Sequence, residues 1–152
     1  LDRGFRSIIV RSTDGLDELS TSAPTQIWDV TSGSLRESLL APSELGLKPA
    51  TLEQLRGGDA QFNAQIVREI LAGRSDGNFA AIRDVVALNA AATMVAYDAA
   101  KGAKRFGAVE DPTVARISRA LPVAYSSLDT GAAKSLLDVW VSVSQRYALA
   151  AN

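Results

Sequence analysis

The hydrophobic pattern of this 152-residue chain changes its period near residue 50. Before residue 41 the apolar residues form short β-branched or alternating runs, which is the pattern of strands. After residue 50 they recur every three or four residues, which is the pattern of helices packed against a core. The chain therefore predicts an α/β fold with its strands first and its helices afterwards.

Three strands are predicted, and they differ in kind. Residues 7–11 form a short β-branched run, which predicts a buried parallel strand. Residues 25–31 and 34–40 alternate on either side of the turn signal Ser32-Gly33, which predicts an antiparallel hairpin. A parallel strand needs a partner on each edge, so we expect the sheet in this chain to be partial. An edge left exposed would favour self-association of the chain.

Four to five helices are expected to cover this sheet. The sequence indicates a short helix at residues 51–55 and longer helices at about residues 60–72, 78–101, 112–129 and 132–147. Asp59 is suited to cap the first of the longer helices, and Asp111-Pro112 is suited to begin the third. Pro122 is expected to kink or split that helix, because proline removes a backbone hydrogen bond. In the last helix we expect Trp140 and the other apolar side chains to face inward.

The composition excludes several kinds of chemistry. The chain has no histidine and no cysteine, which excludes Ser-His-Asp catalysis, cysteine nucleophiles and thiolate metal sites. Any metal ion has to be held by oxygen ligands, which favours Mg²⁺, Mn²⁺ or Ca²⁺. The net charge of −1 disfavours nucleic acid as a partner. Asn89 and Asp98 interrupt the most apolar stretch, so we expect no membrane span. Because the chain begins with Leu1, we expect a fragment or a processed chain.

The residues best suited to chemistry lie in the run TDGLDELST, residues 13–21, which follows the first predicted strand. Its adjacent acids, Asp17 and Glu18, are suited to a hard divalent cation at the carboxyl end of a strand. Neighbouring side chains converge only where the backbone is irregular, and Asp14-Gly15 supplies that irregularity. The alternative is that Asp14 and Asp17 bond to the backbone of the turn while Glu18 is solvated. The spacing alone favours this alternative.

Two further features have a structural and a functional interpretation. Asn89 lies inside the most apolar helix, where an asparagine that ties down neighbouring backbone is favoured over one that reaches into a site. Arg56-Gly57-Gly58-Asp59 opens a helix whose amino end can cradle phosphate. Because the Asp59 carboxylate would repel an anion, a plain helix start is the favoured interpretation.

Six segments in a fixed order carry a resemblance to a known family. They are IIV at residues 8–10, DGLDELS at 14–20, PTQIWDV at 24–30, LEQLRGGDAQFNAQIVREILAG at 52–73, RDVVALNAAA at 83–92 and LDTGAAKSLLDVW at 128–140. On these segments, nearly the whole chain resembles the carboxyl-terminal portion of the anthranilate phosphoribosyltransferase family, which is related to pyrimidine nucleoside phosphorylases. The resemblance implies the fold of a nucleoside phosphorylase/phosphoribosyltransferase C-terminal domain.

The resemblance also implies a reaction and a metal site. The reaction transfers phosphoribose from phosphoribosyl pyrophosphate to anthranilate and releases pyrophosphate, in cytoplasmic tryptophan biosynthesis. Asp17 and Glu18 are then expected to hold the Mg²⁺ that accompanies the donor, while no catalytic residue is assigned to this chain. One departure is that Arg11-Ser12-Thr13 stands where family members commonly have histidine and glycine.

Other parts of the family's active site precede the matching region. These are its glycine-rich and basic phosphate-binding loops, its anthranilate-contacting arginine and its amino-terminal helical domain. We therefore expect residues 1–152 to be a single domain, the carboxyl-terminal part of a larger catalytic α/β domain, and to be inactive alone. Two alternatives stay open. One is a non-catalytic relative that binds nucleic acid, which the net charge disfavours, and the other is a pyrimidine nucleoside phosphorylase relative, which the DGLDE turn disfavours.

Overall fold

A computed structural model describes residues 4–150 of the chain, with side chains up to residue 148. The strands come first, followed by one 3-10 turn and the helices. The elements are β1 (Ile8–Ser12), β2 (Thr25–Asp29), β3 (Arg36–Leu40), the 3-10 turn (Pro42–Leu45), α1 (Ala60–Leu71), α2 (Asn78–Ala100), α3 (Thr113–Asp129) and α4 (Ala132–Ala150). The predicted α/β class and its order of strands and helices are confirmed.

The three strands form one antiparallel sheet in the order β1-β2-β3, in which Val10 pairs with Ile27 and Ile27 with Ser38. The hairpin prediction is confirmed by the pairing of β2 with β3. The prediction of a buried parallel strand is wrong, because β1 pairs antiparallel with β2 and Ile9 is 51% exposed. The physical reason is that the loop of residues 13–24 forms no crossover helix and folds back on itself. The Thr13 N–H donates to the Pro24 carbonyl at 2.9 Å, which continues the antiparallel pairing past the strand ends.

The sheet and two helices enclose one hydrophobic core. Ile27 and Leu40 face this core from the sheet, because alternate residues of β2 are buried. Helix α2 packs along α3, and the two helices contribute most of the remaining apolar side chains, including Leu88, Val95 and Ile117. Helix α2 is long and apolar enough to cross a membrane, but the core helix of a soluble protein has the same properties.

Helix boundaries agree with the sequence except at two prolines and one short segment. Asp59 caps α1 as predicted, since its carboxylate accepts a hydrogen bond from the Phe62 N–H at 2.8 Å. Helix α3 has Pro112 as its N-cap and continues through Pro122, so the predicted split does not occur. Residues 51–55 form hydrogen-bonded turns rather than a helix.

Helix α4 lies at the edge of the molecule, with most of its apolar side chains exposed. Leu136 is 69% exposed and Trp140 is 67% exposed, so the predicted inward orientation of these two side chains is wrong. Within the described residues, α4 contacts mainly α3 and α1, which cover only one of its sides. The pattern of apolar residues on α4 therefore predicts a buried helix, but the described residues bury only one side of it.

Candidate functional site

The loop between β1 and β2 carries the acidic turn. Its beginning is closed by backbone hydrogen bonds, in which the Ser12 N–H donates to the Leu16 carbonyl at 2.9 Å and the Gly15 N–H donates to the Ser12 carbonyl at 3.2 Å. Gly15 has a φ of 99°, a conformation that residues with a side chain rarely adopt. The irregular backbone expected from Asp14-Gly15 is therefore present at the start of the turn.

Asp14 uses its carboxylate to organise this turn. One oxygen accepts from the Leu16 N–H at 3.1 Å, and the other accepts from the hydroxyls of Ser20, at 2.7 Å, and Ser22. Burial would raise the pKa of Asp14, but hydrogen bonds from Ser22, Ser20, Ser12 and Leu16 outweigh it and lower the pKa to about 2. Asp14 is thus an ionised structural group, and both of its oxygens accept hydrogen bonds within the turn.

Asp17 and Glu18 behave differently from Asp14. Both are exposed on the same turn, and within the described residues neither carboxylate accepts a hydrogen bond or forms an ion pair. The alternative interpretation is therefore confirmed for Asp14, which bonds to the backbone of the turn, and for Glu18, which is exposed, but it is not supported for Asp17. Glu18 borders a cleft of about 310 Å³, whose walls also include Leu55, Val85 and Asn89. The turn thus presents two adjacent carboxylates that are available to a ligand.

Asn89 of α2 holds the residue that follows the acid pair. Its side-chain oxygen accepts from the Leu19 N–H at 3.0 Å, and its nitrogen donates to the Leu19 carbonyl at 2.8 Å. The same nitrogen also donates to the Val85 carbonyl at 2.9 Å, one helical turn earlier. The prediction that this asparagine ties down neighbouring backbone is confirmed, and the backbone it holds belongs to the acidic turn.

The glycine-rich segment before α1 forms an ordinary helix start. The Asn63 side chain folds back to accept from the Gly58 N–H at 2.8 Å and to donate to the Gly58 carbonyl at 2.9 Å. With Asp59 capping the helix, one backbone donor that would face a phosphate is already occupied and a negative charge lies beside it. The segment therefore supports the interpretation of a plain helix start over that of a phosphate-binding site.

The structure contains one buried polar network that the sequence did not reveal. Asp29, at 0% exposure on β2, accepts hydrogen bonds from Thr31, Thr113, Arg36 and Arg116. Burial would raise the pKa of Asp29, but the bonds from Thr113 and Thr31 and the charge of Arg36 hold the pKa below its ordinary value. Burial lowers the pKa of Arg116. The negative charge of Asp29 opposes this lowering but does not cancel it.

This network ties the sheet to α3 and is distinct from the acidic turn. A signal for it exists in the sequence, because Arg116 lies four residues before Ala120 and shares that buried helix face. Asp29 likewise shares a strand face with Ile27. A charged residue on each of two apolar faces indicates a buried ion pair once the two faces are known to meet.

The domain class follows from the fold and from its match to a family model. The model described as "Glycosyl transferase family, a/b domain" matches residues 3–134. The chain therefore belongs to this glycosyltransferase family. Its fold is the nucleoside phosphorylase/phosphoribosyltransferase C-terminal domain-like fold that the resemblance implied.

Within this family, the chain is similar to anthranilate phosphoribosyltransferases. The chain is 42% identical over 144 residues to the anthranilate phosphoribosyltransferase of Thermobifida fusca (strain YX), a match that covers 95% of this chain and 38% of the relative. The crystal structure of anthranilate phosphoribosyltransferase from Thermus thermophilus superposes with a TM-score of 0.69 at 31% identity. That match covers 93% of this chain and 36% of the solved chain.

One further solved structure bears on the metal. A variant of anthranilate phosphoribosyltransferase from Saccharomyces cerevisiae with Mg bound superposes with a TM-score of 0.69 at 27% identity, covering 90% of this chain and 35% of that one. The chain thus resembles the carboxyl-terminal portion of these enzymes. It spans little more than a third of the length of the relatives it matches.

Proposed function

We propose that this chain is part of an enzyme that transfers phosphoribose from phosphoribosyl pyrophosphate to anthranilate in cytoplasmic tryptophan biosynthesis. The observation that carries the proposal is the free pair of carboxylates on an anchored turn, in a chain whose relatives are anthranilate phosphoribosyltransferases. Because neither carboxylate is engaged within the described residues, the pair can bind a cation without first breaking internal hydrogen bonds.

The donor atoms of the turn fit Mg²⁺. This ion takes one or two carboxylates and completes its octahedron with water and substrate phosphate oxygens. Asp17 and Glu18 match that requirement. The described residues contain no group of three or more acidic side chains that could hold a metal, so water and donor phosphate would have to complete the coordination. When bound there, the ion supplies positive charge that neutralises a pyrophosphate leaving group.

The chain's own residues then have separate roles. We propose that Glu18, which borders the cleft, and Asp17 hold the ion at the surface of the turn. Asp14 keeps the turn closed through its bonds to Leu16, Ser20 and Ser22 and does not bind the ion, because its oxygens are engaged. The remaining contacts to donor and acceptor are proposed to come from the larger catalytic domain of which residues 1–152 form the carboxyl-terminal part.

A chimera tests this proposal. In it, the 152-residue chain replaces the matched portion of the Thermobifida fusca relative, and turnover is followed by the loss of anthranilate fluorescence with phosphoribosyl pyrophosphate and Mg²⁺. The chimera is expected to be active, and the variants Asp17→Asn and Glu18→Gln are each expected to lower kcat/KM by about a hundredfold or more. Glu37→Gln, an exposed acid on β3, is the charge-matched control and is expected to have no effect.

The isolated chain provides the complementary measurement. Isothermal titration of the 152-residue chain with Mg²⁺ and phosphoribosyl pyrophosphate is expected to show at most millimolar binding and no turnover with anthranilate. Turnover by the isolated chain would refute its proposed inactivity. An active chimera that tolerates the loss of both acids would refute the metal role.

A further inference from the structure

The acid pair occupies a two-residue gap between two anchored backbone positions. On one side, the Leu16 N–H is held by the Asp14 carboxylate at 3.1 Å. On the other side, both backbone groups of Leu19 are held by the Asn89 side chain, at 3.0 and 2.8 Å. Only Asp17 and Glu18 lie between these anchors, so the anchors decide the path of the backbone from which both carboxylates project.

The bonds of Asn89 leave its side chain little freedom. A primary amide has two donor hydrogens and two acceptor lone pairs, and Asn89 uses both hydrogens and one lone pair. Its helix is rigid at this point, because the neighbouring residues Leu88 and Ala92 are buried in the core. The side chain therefore fixes the acidic turn relative to α2, although the two are 70 residues apart in sequence.

We propose that Asn89 is a positioning residue for the metal site, which it serves by fixing the backbone at Leu19 and so the direction of Glu18. This inference rests on the proposed function of Asp17 and Glu18. Glu18 and Asn89 border the same cleft, so the anchor lies on the side where a ligand would sit. A carboxylate on an ordered backbone binds an ion without the entropic cost of ordering it at that moment.

The hydrogen bond itself can be observed without any variant. A scalar coupling between the Leu19 backbone nitrogen and the side-chain carbonyl carbon of Asn89, measured by NMR on the 152-residue chain, is the expected signature. Its absence, together with fast exchange of the Leu19 amide hydrogen, would overturn the proposal at its first step. Because this measurement needs no substitution, it also applies if variants at residue 89 do not fold.

A variant then separates positioning from stability. Asn89→Leu keeps the approximate volume and removes all three hydrogen bonds, so exchange of the Leu19 amide hydrogen is expected to accelerate more than that of the α2 core amides. Thr93→Ala, one turn further along α2, is the local control. Ile117→Ala in the core of α3 is the control for lost stability, since it removes core packing but none of the hydrogen bonds between Asn89 and the turn.

Metal affinity gives the functional readout. Mn²⁺, which prefers the same oxygen ligands, is titrated into the chimera in the presence of phosphoribosyl pyrophosphate and followed by electron paramagnetic resonance. Asn89→Leu is expected to weaken Mn²⁺ binding about tenfold, as losses of supporting contacts around metal sites do. Thr93→Ala and Ile117→Ala are expected to leave this affinity unchanged, provided that each variant is folded at the temperature of the titration.

The outcomes distinguish this inference from the proposed function. If Asp17→Asn with Glu18→Gln leaves Mn²⁺ binding unchanged, the metal site is refuted and the positioning role falls with it. If those acids bind Mn²⁺ but Asn89→Leu retains full affinity, the positioning role alone is overturned. An equal loss of affinity in Ile117→Ala would also overturn it, because the effect would then follow from stability.

Discussion

At the scale of single residues, the three acids of one short turn differ in their hydrogen bonding and exposure. Asp14 accepts hydrogen bonds from Leu16, Ser20 and Ser22, and its pKa is lowered to about 2. Asp17 and Glu18, three and four residues later, have exposed carboxylates and no partner within the described residues. The Asp14 carboxylate holds the backbone of the turn. The carboxylates of Asp17 and Glu18 are therefore not needed for that purpose and stay available.

The stability of the chain is expected to depend on pH through Asp14. Because its folded pKa lies below the ordinary value of about 3.9, the stabilising effect is complete above about pH 4 and is lost as the pH falls toward 2. Asp14→Asn lacks this contribution. The difference in the free energy of unfolding between wild type and variant, from urea titrations, is therefore expected to be largest near neutral pH and to shrink below about pH 4.

Serine variants provide a second check on the same carboxylate. Ser20→Ala and Ser22→Ala each remove one donor to Asp14 while keeping the acid, so each is expected to reduce the pH dependence in part. A wild-type advantage over Asp14→Asn that stayed constant from pH 7 down to about pH 2 would contradict the expected depression of the Asp14 pKa.

At the scale of secondary-structure elements, the local sequence predicted the hairpin but not how the more distant parts of the chain pair. The hairpin of β2 and β3 follows from alternation and from the turn between the strands, both of which are local. The direction of β1 depends on how the loop of residues 13–24 closes, and a β-branched run is the same for a parallel or an antiparallel strand. The exposure of Trp140 was missed for a similar reason, because a helical stripe shows which face is apolar but not whether a partner covers it.

The buried network between β2 and α3 is expected to be the most sensitive polar contact in the fold. Asp29→Asn leaves Arg116, at 2% exposure, without its full counter-charge, and the expected loss is about 3–5 kcal/mol of unfolding free energy in urea titrations. Adding Arg116→Met to that variant is expected to recover much of the loss. This pair of variants separates the cost of an unpaired buried charge from the value of the ion pair.

An exposed ion pair serves as the control for that prediction. Lys134 and Asp138 form a pair one helical turn apart on α4, with both side chains more than half exposed. Lys134→Met is expected to change the unfolding free energy by no more than about 0.5 kcal/mol. If Asp29→Asn cost no more than this control, or if Arg116→Met gave no recovery, the network would not be the link between sheet and helix.

At the scale of the whole molecule, the described residues leave more than one apolar surface uncovered. Strands β1 and β3 are both edges of the three-stranded sheet, and Ile9 and Leu39 on these edges are more than half exposed. The apolar side chains of α4 are exposed as well. The acidic turn could be located from sequence because its acids are adjacent. The sequence also indicated that Asn89 holds backbone, but not that this backbone is Leu19, because the contact spans 70 residues.

Self-association through the sheet edge is the prediction that belongs to this scale. An unpaired edge strand presents backbone donors and acceptors that a second copy can pair with, so the isolated chain is expected to sediment as a dimer or larger species. Ile9→Lys places a charge on the edge at an exposed position and is expected to shift the chain toward monomer. Val139→Lys makes the same change on α4, where the side chain is 59% exposed, and is expected to leave association intact. Sedimentation of the wild-type chain as a monomer alone would contradict the prediction, and dissociation by Val139→Lys but not by Ile9→Lys would move the interface to α4.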